Sequence, residues 1–459
     1  MDLAAKFNGR DAAFAANSPT WRSAVTALLI LLAGVLTLAL HRQVPLLRES
    51  RDHDLPFLIG WDSQSYFHMA IGQYAQVASP FSKRALYPWL AATLAKTGHL
   101  KITTAFLTLN FIAFALLAWC ISAILETMIG APWGAFLLLL TPLSLVSLEM
   151  GYLPDLFHAA LTALFFLLLL KEKRWAALAV LLVSFATRES TLLLCLALAA
   201  ITYRRNERVL FIGCLVVLVL GTVITSAFAK LGAPNLHHMP DPLYLALKVP
   251  FNFCLNFLGF TVWTDINNMG QPFVKWQMPA FLHRFTTDRE IGLDWDWRYP
   301  SRTVIVYLTI FGTAPLLLAR FRKHWRILLE APLTVRLACF YGVVSFVIGP
   351  VLGSWIERLI SYGWPAFWIA LPWLIHKYFA PLKTSEAGLL ALNYLCLAWW
   401  PALFGWSRIT NYPLCALGVL VLCAPTLVLM RRITMLDPLL EIQRPNAAPG
   451  SDEPCRRLS

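Results

Sequence analysis

Charged side chains are scarce in this chain of 459 residues. Asp, Glu, Lys and Arg together make up 14% of the sequence, whereas 58% of the residues are hydrophobic and the mean hydropathy is +0.62. Because soluble domains contain about 25% charged residues, this scarcity excludes an ordinary soluble protein. The apolar runs recur along the chain, and many are long enough to cross a bilayer. We therefore expect an integral multi-pass membrane protein.

Metal-ligand and disulfide patterns are also missing. The nine cysteines form no Cys-x-x-Cys pair and no His/Cys ligand spacing. Most of them lie within apolar runs, where cysteine behaves as a small hydrophobic residue. The sequence therefore predicts no disulfide framework and no cofactor, while a divalent metal bound by carboxylates stays open as an alternative.

The net charge of +13 does not indicate a nucleic-acid partner, because the basic residues cluster in alternate loops. This bias is typical of membrane proteins that keep their basic loops in the cytoplasm, and it puts both termini inside. The first run resembles an uncleaved signal-anchor rather than a cleavable leader. The predicted external loops lack Asn-x-Ser/Thr sequons, which favours a bacterial inner membrane. The basic loops are 171–174, 203–208, 320–326 and 431–432.

The apolar runs predict an all-α bundle of about twelve transmembrane helices. Residues 22–432 form a single transmembrane domain, preceded by a cytoplasmic tail (1–21) and followed by a disordered cytoplasmic tail (433–459). Large external loops are expected at 42–101 and 230–302. The predicted spans lie near 22–41, 103–125, 131–149, 155–170, 175–187, 190–202, 208–229, 303–319, 334–352, 358–376, 386–405 and 413–430.

Three apolar segments are too short for ordinary spans. Segment 86–98 is flanked by basic residues and contains Pro88, so we expect an interfacial or re-entrant helix in the first external loop. Segments 175–187 and 190–202 meet at Thr187-Arg188-Glu189. They form either two short spans or one broken hairpin buried in the bundle.

Ionisable residues near spans are costly and therefore informative, at roughly 2.5–3.5 kcal/mol each at the bilayer centre. In the predicted topology, five sets of such residues lie at the external ends of spans. We expect the bundle to gather them into one externally open pocket. The sets are Asp62; Lys83 with Arg84; Glu149 with Asp155 and His158; Arg188 with Glu189; and Glu357 with Arg358.

Asp62 begins a segment, 61–74, whose apolar residues recur at helical spacing. It is either the N-cap of that helix or a catalytic base at the membrane surface, and the two roles are compatible. Asp155, after Pro154, has the same choice between a helix start and a functional acid.

The basic residues of these sets suit a lipid phosphate. Arginine presents a planar fork that binds phosphate bidentately and keeps its charge, so Arg84, Arg188 and Arg358, with Lys83, are candidate phosphate ligands. The alternative is structural salt bridging between helix ends. The candidates for orienting these arginines, or for contacting a sugar or acceptor, are Asp155, Glu189, Glu357, Tyr66 and His158. In the second external loop, Asp294-Trp295-Asp296-Trp297 fits either carbohydrate binding or an interfacial tryptophan belt.

Several short motifs, in the order in which they occur along the chain, resemble those of the C-type (GT-C) superfamily of membrane glycosyltransferases. The resemblance covers about residues 20–370. An acid follows the first span, a basic-aromatic interfacial helix comes next, and a Pro-Asp pair occurs downstream. The motifs are Trp61-Asp62-Ser63-Gln64-Ser65-Tyr66, Lys83-Arg84-Ala85-Leu86-Tyr87-Pro88-Trp89-Leu90, Pro154-Asp155, Thr187-Arg188-Glu189-Ser190 and Glu357-Arg358-Leu359-Ile360-Ser361-Tyr362.

The resemblance implies an inverting sugar transfer from a polyprenyl-phosphate donor to a glycan, lipid or protein hydroxyl at the extracytoplasmic face. It also implies that Asp62 acts as the base. Because Trp61 stands beside Asp62 where the family pattern has a second acid, we expect one catalytic carboxylate and no metal. The rival hypotheses are a transporter or flippase of a lipid-linked or anionic substrate, and a non-catalytic membrane scaffold.

Overall fold

The computed structural model is mostly helical. We number its helices and strands in chain order and define two 3₁₀ turns, Tyr74–Gln76 and Phe81–Lys83, and one π-helical turn, Cys254–Leu258. The structure describes residues 19–40, 61–132, 134–149, 151–204, 206–233, 241–263, 274–277, 279–280, 290–313, 331–352, 356–364, 369–374, 384–404, 415 and 417–424. The helices are α1 (Pro19–Leu40), α2 (Trp61–Ala70), α3 (Leu86–Thr97), α4 (Ile102–Ile129), α5 (Gly134–Leu139), α6 (Pro142–Glu149), α7 (Asp155–Leu170), α8 (Arg174–Phe185), α9 (Thr191–Arg204), α10 (Arg208–Ala229), α11 (Asp241–Phe253), α12 (Arg298–Phe311), α13 (Leu333–Leu352), α14 (Ile356–Ser361) and α15 (Thr384–Phe404).

Four helices in the described part of the chain are long and apolar enough to cross a membrane: α1, α4, α10 and α13. These helices support association with a membrane, but the expected bundle of twelve spans is not confirmed. The predicted cytoplasmic tail 433–459 and most of the tail 1–21 lie outside the described residues.

Helices α8 and α9 have 12 and 14 residues, so they extend for about 18 and 21 Å. Neither matches the 30 Å or so of a hydrocarbon core. The turn that joins them, residues 186–190, lies at one end of the pair. The opposite ends of the two helices adjoin the basic segments 171–174 and 203–208. The pair therefore fits the broken hairpin better than two separate spans.

Two predicted spans are interrupted. The span expected at 131–149 is divided into α5 and α6, because Pro142 has no backbone N–H to continue a helix from α5 and instead begins α6. The span expected at 358–376 is broken after α14, at residues 362–363, and is helical again at 369–374. Gly363 lies so close to α13 that an added Cβ would meet the Cβ of Ser345 at 2.7 Å.

Helix α4 is central to the core and packs against α1, α3 and α7. Its side chains Phe106, Phe114 and Leu117 are completely buried. Small residues on the same helix, such as Ala118 and Ala123, allow neighbouring helices to approach closely. The segment 61–97 joins this core through α3. The prediction of a helix at 86–98 is therefore confirmed, whereas its interfacial or re-entrant placement stays a prediction.

The loop 230–302 is not purely helical, so the all-α prediction is wrong there. It contains β1 (Phe260–Trp263), β2 (Val274–Gln277) and β3 (Glu290–Trp295), arranged as an antiparallel sheet in the order β1-β3-β2. Phe260 pairs with Trp295, and Trp276 pairs with Ile291. The alternation of apolar and polar residues in β3 fits this structure.

Side chains from neighbouring elements complete the hydrogen bonds at the end of α13. Pro350 lacks the N–H that would bond the carbonyl of Phe346, and Tyr307 donates its hydroxyl to that carbonyl at 2.5 Å. The side-chain amides of Asn256 and Asn252 donate to the carbonyls of Pro350 at 2.6 Å and Val351 at 3.2 Å. These bonds fix the segment that leads into α14.

Candidate active site

The turn between α8 and α9 presents Arg188 and Glu189 side by side. Its backbone is held by hydrogen bonds from the amides of Thr187 and Arg188 to the carbonyl of Ser184, at 3.0 and 2.9 Å. The amide of Leu86, at the start of α3, donates to the carbonyl of Ala186 at 3.1 Å. The turn is therefore joined to the segment 61–97.

Glu189 pairs with Arg84, which directly follows the 3₁₀ turn Phe81–Lys83. Nε of Arg84 donates to Oε2 of Glu189 at 2.7 Å, and Nη2 donates to Oε1. Nη1 of Arg84 donates to the hydroxyl of Tyr66, on α2, at 2.9 Å. The Arg84 side chain is only 9% exposed, whereas that of Glu189 is 43% exposed. Glu189 thus lies at the open edge of a pair whose cation is buried.

Arg188 pairs with Asp155, the first residue of α7. Nη1 of Arg188 donates to Oδ1 of Asp155 at 2.5 Å, and the Tyr362 hydroxyl donates to the same oxygen at 3.0 Å. The Arg188 guanidinium also lies over the Tyr362 ring, 4.4 Å from its centroid. The two side chains of this pair are 6% and 12% exposed, so this pair is more deeply buried than the first.

His158 lies one turn after Asp155 and is held by hydroxyl groups. Its Nδ1 is 3.1 Å from the hydroxyl oxygen of Ser184, and its Nε2 is 3.1 Å from that of Ser190. The Tyr362 ring approaches it edge-on, with the ring centroids 5.8 Å apart. A cavity of about 30 Å³, room for one water, lies beside His158, Asp155 and Tyr362.

The electrostatics of the site are dominated by the two ion pairs. Burial alone raises the pKa of the Glu189 carboxyl, but the neighbouring charge of Arg84 and its hydrogen bonds outweigh this effect and bring the pKa to about 2. Glu189 is therefore ionised at neutral pH. Since each arginine of the site has a carboxylate partner, the two pairs contribute no net charge.

The hydrogen bonds of Arg84 change the role predicted for it. All three of its guanidinium nitrogens contact Glu189 or Tyr66, and its side chain is nearly buried. The salt-bridge alternative therefore describes Arg84 better than direct phosphate binding.

Asp62 lies in the first turn of α2 and is partly buried. The N-cap prediction is wrong, because Trp61 is already helical. Asp62 precedes Tyr66 by four residues, so the two share one helix face. Through Tyr66, the helix that carries Asp62 is bonded directly to Arg84.

The structure brings together Tyr66, Arg84, Asp155, His158, Arg188 and Glu189, with Lys83 next to Arg84 in the chain. Glu357 and Arg358 belong to α14, which leads into Tyr362, but their side chains lie outside the described residues. Likewise, the side chain of Glu149 is outside the described part, although its backbone ends α6.

Sequence reasoning did not assign roles to Tyr362, Ser184 and Ser190. Hydroxyl residues are common in membrane helices and carry no charge, so no strong signal marks them. The available signals were position alone: Ser190 follows Glu189, and Tyr362 follows Arg358 by one helical turn.

Among the described residues, no group of three or more His, Cys, Asp or Glu side chains is arranged to hold a metal ion. Comparison of the chain with protein-family models, with curated proteins and with solved structures finds no match in any of the three. The candidate function therefore depends on the geometry of the site and on the motif resemblance.

Proposed function

We propose that this chain is a membrane glycosyltransferase that moves a sugar from a polyprenyl-phosphate donor to a hydroxyl acceptor at the extracytoplasmic face of a bacterial inner membrane. One observation carries the proposal. Arg84 and Tyr66 connect the helix of Asp62 to Glu189, in the turn of the α8–α9 hairpin. A carboxylate on a helix that is bonded to a polar cluster at one end of the helices suits surface catalysis on a lipid-linked substrate.

Asp62 acts as the general base. The acceptor hydroxyl oxygen attacks the anomeric carbon of the donor sugar while its proton passes to the Asp62 carboxylate. The bond between the anomeric carbon and the phosphate oxygen breaks, and the polyprenyl phosphate leaves with the electron pair. A positioned base supplies about 10²–10⁴-fold of rate acceleration.

Cations near the site stabilise the leaving phosphate. The hydrogen bonds of Arg84 favour a positioning role for it, because they hold Tyr66 and Glu189. Lys83, which precedes Arg84, and Arg358, on α14, are the proposed phosphate ligands. Arg188 also becomes a phosphate ligand if a phosphate oxygen replaces Asp155 as the acceptor of one of its hydrogen bonds.

The two carboxylates of the ion pairs have different roles. Asp155 is nearly buried and accepts hydrogen bonds from Arg188 and Tyr362, so it orients these side chains. Glu189 is ionised and half-exposed, and Arg84 fixes both of its oxygens. Such a carboxylate accepts hydrogen bonds from the hydroxyls of a sugar.

A transporter or flippase of an anionic, lipid-linked substrate is the second candidate. Interrupted helices with polar groups at the breaks are typical of transporters, and the α5–α6 break and the short α8–α9 hairpin are of this kind. The ion pairs are grouped at one end of the helices, which favours an enzyme over a carrier.

Purified protein in lipid vesicles separates these candidates. It is incubated with radiolabelled polyprenyl-phosphate hexoses and pentoses and with bacterial lipid and glycan extracts as acceptors. A transferase moves label to a new product and releases polyprenyl phosphate. A flippase instead moves the intact donor between leaflets, and that result without any transfer would overturn the proposal.

A further inference from the structure

A group of exposed apolar side chains extends from the end of α11 to the sheet. Each of these residues is between 37% and 54% exposed, although the group lies in a segment rich in polar residues. We call this group the aromatic surface, and it consists of Phe253, Phe257, Leu258, Phe260, Trp276 and Trp295.

Direct contacts join these residues into one surface. The rings of Phe253 and Phe257 are 5.3 Å apart between centroids. The indole N–H of Trp295 donates to the carbonyl of Leu258 at 2.9 Å, and Trp295 is paired with Phe260 across β1 and β3. The aromatic surface is therefore continuous from the π-helical turn onto the sheet.

The sheet itself has two chemically different faces. Residues directly opposite each other in an antiparallel sheet share a face, and successive residues alternate. The pairs Phe260–Trp295 and Trp276–Ile291 therefore lie on one face with Leu293. Positions of the opposite face are mostly polar: Thr261, Lys275, Gln277, Glu290 and Asp294, together with Trp263.

The position of the π-helical turn fixes the depth of the aromatic surface relative to the membrane. Asn252 and Asn256 are bonded to the carbonyls of Val351 and Pro350. These carbonyls belong to the last three residues of α13, a candidate membrane span. The aromatic surface thus begins where that span ends, at the boundary between hydrocarbon and water.

We propose that the aromatic surface inserts into the lipid headgroup layer at this end of α13 and anchors the β-sheet to the bilayer. Tryptophan and phenylalanine are suited to this boundary, since their rings are apolar and the indole keeps a polar edge. The partner is the surrounding bilayer, because the aromatic surface continues directly from a spanning helix. The ion pair of Asp296 with Arg298, at the edge of the aromatic surface, faces the aqueous phase. This inference does not depend on the transferase activity.

Site-specific photocrosslinking tests the anchor. Benzoylphenylalanine replaces Phe257 or Trp295 in the full chain, and Gln277, exposed on the polar face of the sheet, is the matched control position. The protein is reconstituted in vesicles of phosphatidylethanolamine and phosphatidylglycerol, irradiated and analysed by mass spectrometry.

We expect lipid adducts at positions 257 and 295 and several-fold fewer at position 277. Equal adduct yields at all three positions would show that this face has no preference for lipid and overturn the proposal. Crosslinked dimers at 257 and 295 without lipid adducts would overturn it as well, since the surface would then bind a second copy of the chain.

Discussion

The guanidinium of Arg84 binds both carboxylate oxygens of Glu189, which lies 105 residues further along the chain. The contact joins the segment between α2 and α3 to the turn of the α8–α9 hairpin. A second pair, Arg188 with Asp155, extends from the same turn to the start of α7. Two adjacent residues thus hold together three separate parts of the sequence.

The two ion pairs differ in burial, so their loss has different costs. Asp155→Asn removes the carboxylate that pairs with the buried Arg188 and should destabilise the protein by about 3 kcal/mol. Glu189→Gln should cost about 1 kcal/mol, because water reaches its half-exposed side chain and the amide oxygen still accepts from Arg84. Unfolding in mixed micelles by dodecyl sulfate measures both. Equal losses would contradict the difference in burial.

Stability should depend on acid pH through Glu189. The pKa of its carboxyl is lowered from 4.5 to about 2 in the folded state, so ionised Glu189 stabilises the fold above pH about 4.5. This contribution is lost as the pH falls from about 4.5 towards about 2. The melting temperature of wild type should therefore approach that of Glu189→Gln on acidification. A constant difference between the two proteins would argue against the depressed pKa.

Gly232 controls how closely the end of α10 approaches the segment before Arg84. An added Cβ would meet the carbonyl oxygen of Val77 at 2.4 Å and the Cβ of Ser82 at 2.5 Å, so Gly232→Ala should cost about 2 kcal/mol by overpacking. Gly388, within α15, has nothing within 4 Å of such a Cβ. Gly388→Ala should instead stabilise the helix by about 1 kcal/mol. If the two substitutions change the free energy of unfolding by the same amount, the packing around Gly232 has room for a Cβ.

Tyr66 links α2 to the Arg84–Glu189 pair. Tyr66→Phe removes the acceptor for Nη1 of Arg84 and should cost about 1–2 kcal/mol. Tyr87→Phe is a matched control, because the Tyr87 hydroxyl instead donates to the Gly151 carbonyl at 2.5 Å. At similar losses of stability, Tyr66→Phe should lower kcat for sugar transfer more than Tyr87→Phe does. Equal values of kcat would remove Tyr66 from the positioning role.

Much of the site was predictable from sequence, because an ionisable residue near a span is rare and needs a partner. That reasoning predicts that Arg84, Asp155, Arg188 and Glu189 lie together, and the structure joins them in two ion pairs from one turn. It did not predict which acid pairs with which arginine, since pairing depends on how the α8–α9 turn is oriented. Nor did it foresee that the nitrogens of Arg84 are all bonded within the protein.

The fold was less predictable where apolar composition hid a break. Pro142 lies inside the expected span 131–149 and was a visible signal for the division between α5 and α6. The alternation Glu290-Ile291-Gly292-Leu293-Asp294-Trp295 was likewise a strand pattern. Both were obscured because hydropathy averages over a window and does not register local backbone geometry.

The central claim is that Asp62 is the base of a glycosyl transfer, and the Asp62→Asn variant tests it most directly. This variant keeps the size of the side chain, and Glu172→Gln, in the exposed turn that follows α7, serves as the control. Under conditions in which the wild-type protein transfers label from a polyprenyl-phosphate sugar, the transfer activity of Asp62→Asn should be lower by about 10²–10⁴-fold. Its insertion into the membrane and its melting temperature should match those of the wild type. Unchanged transfer by Asp62→Asn would contradict the account.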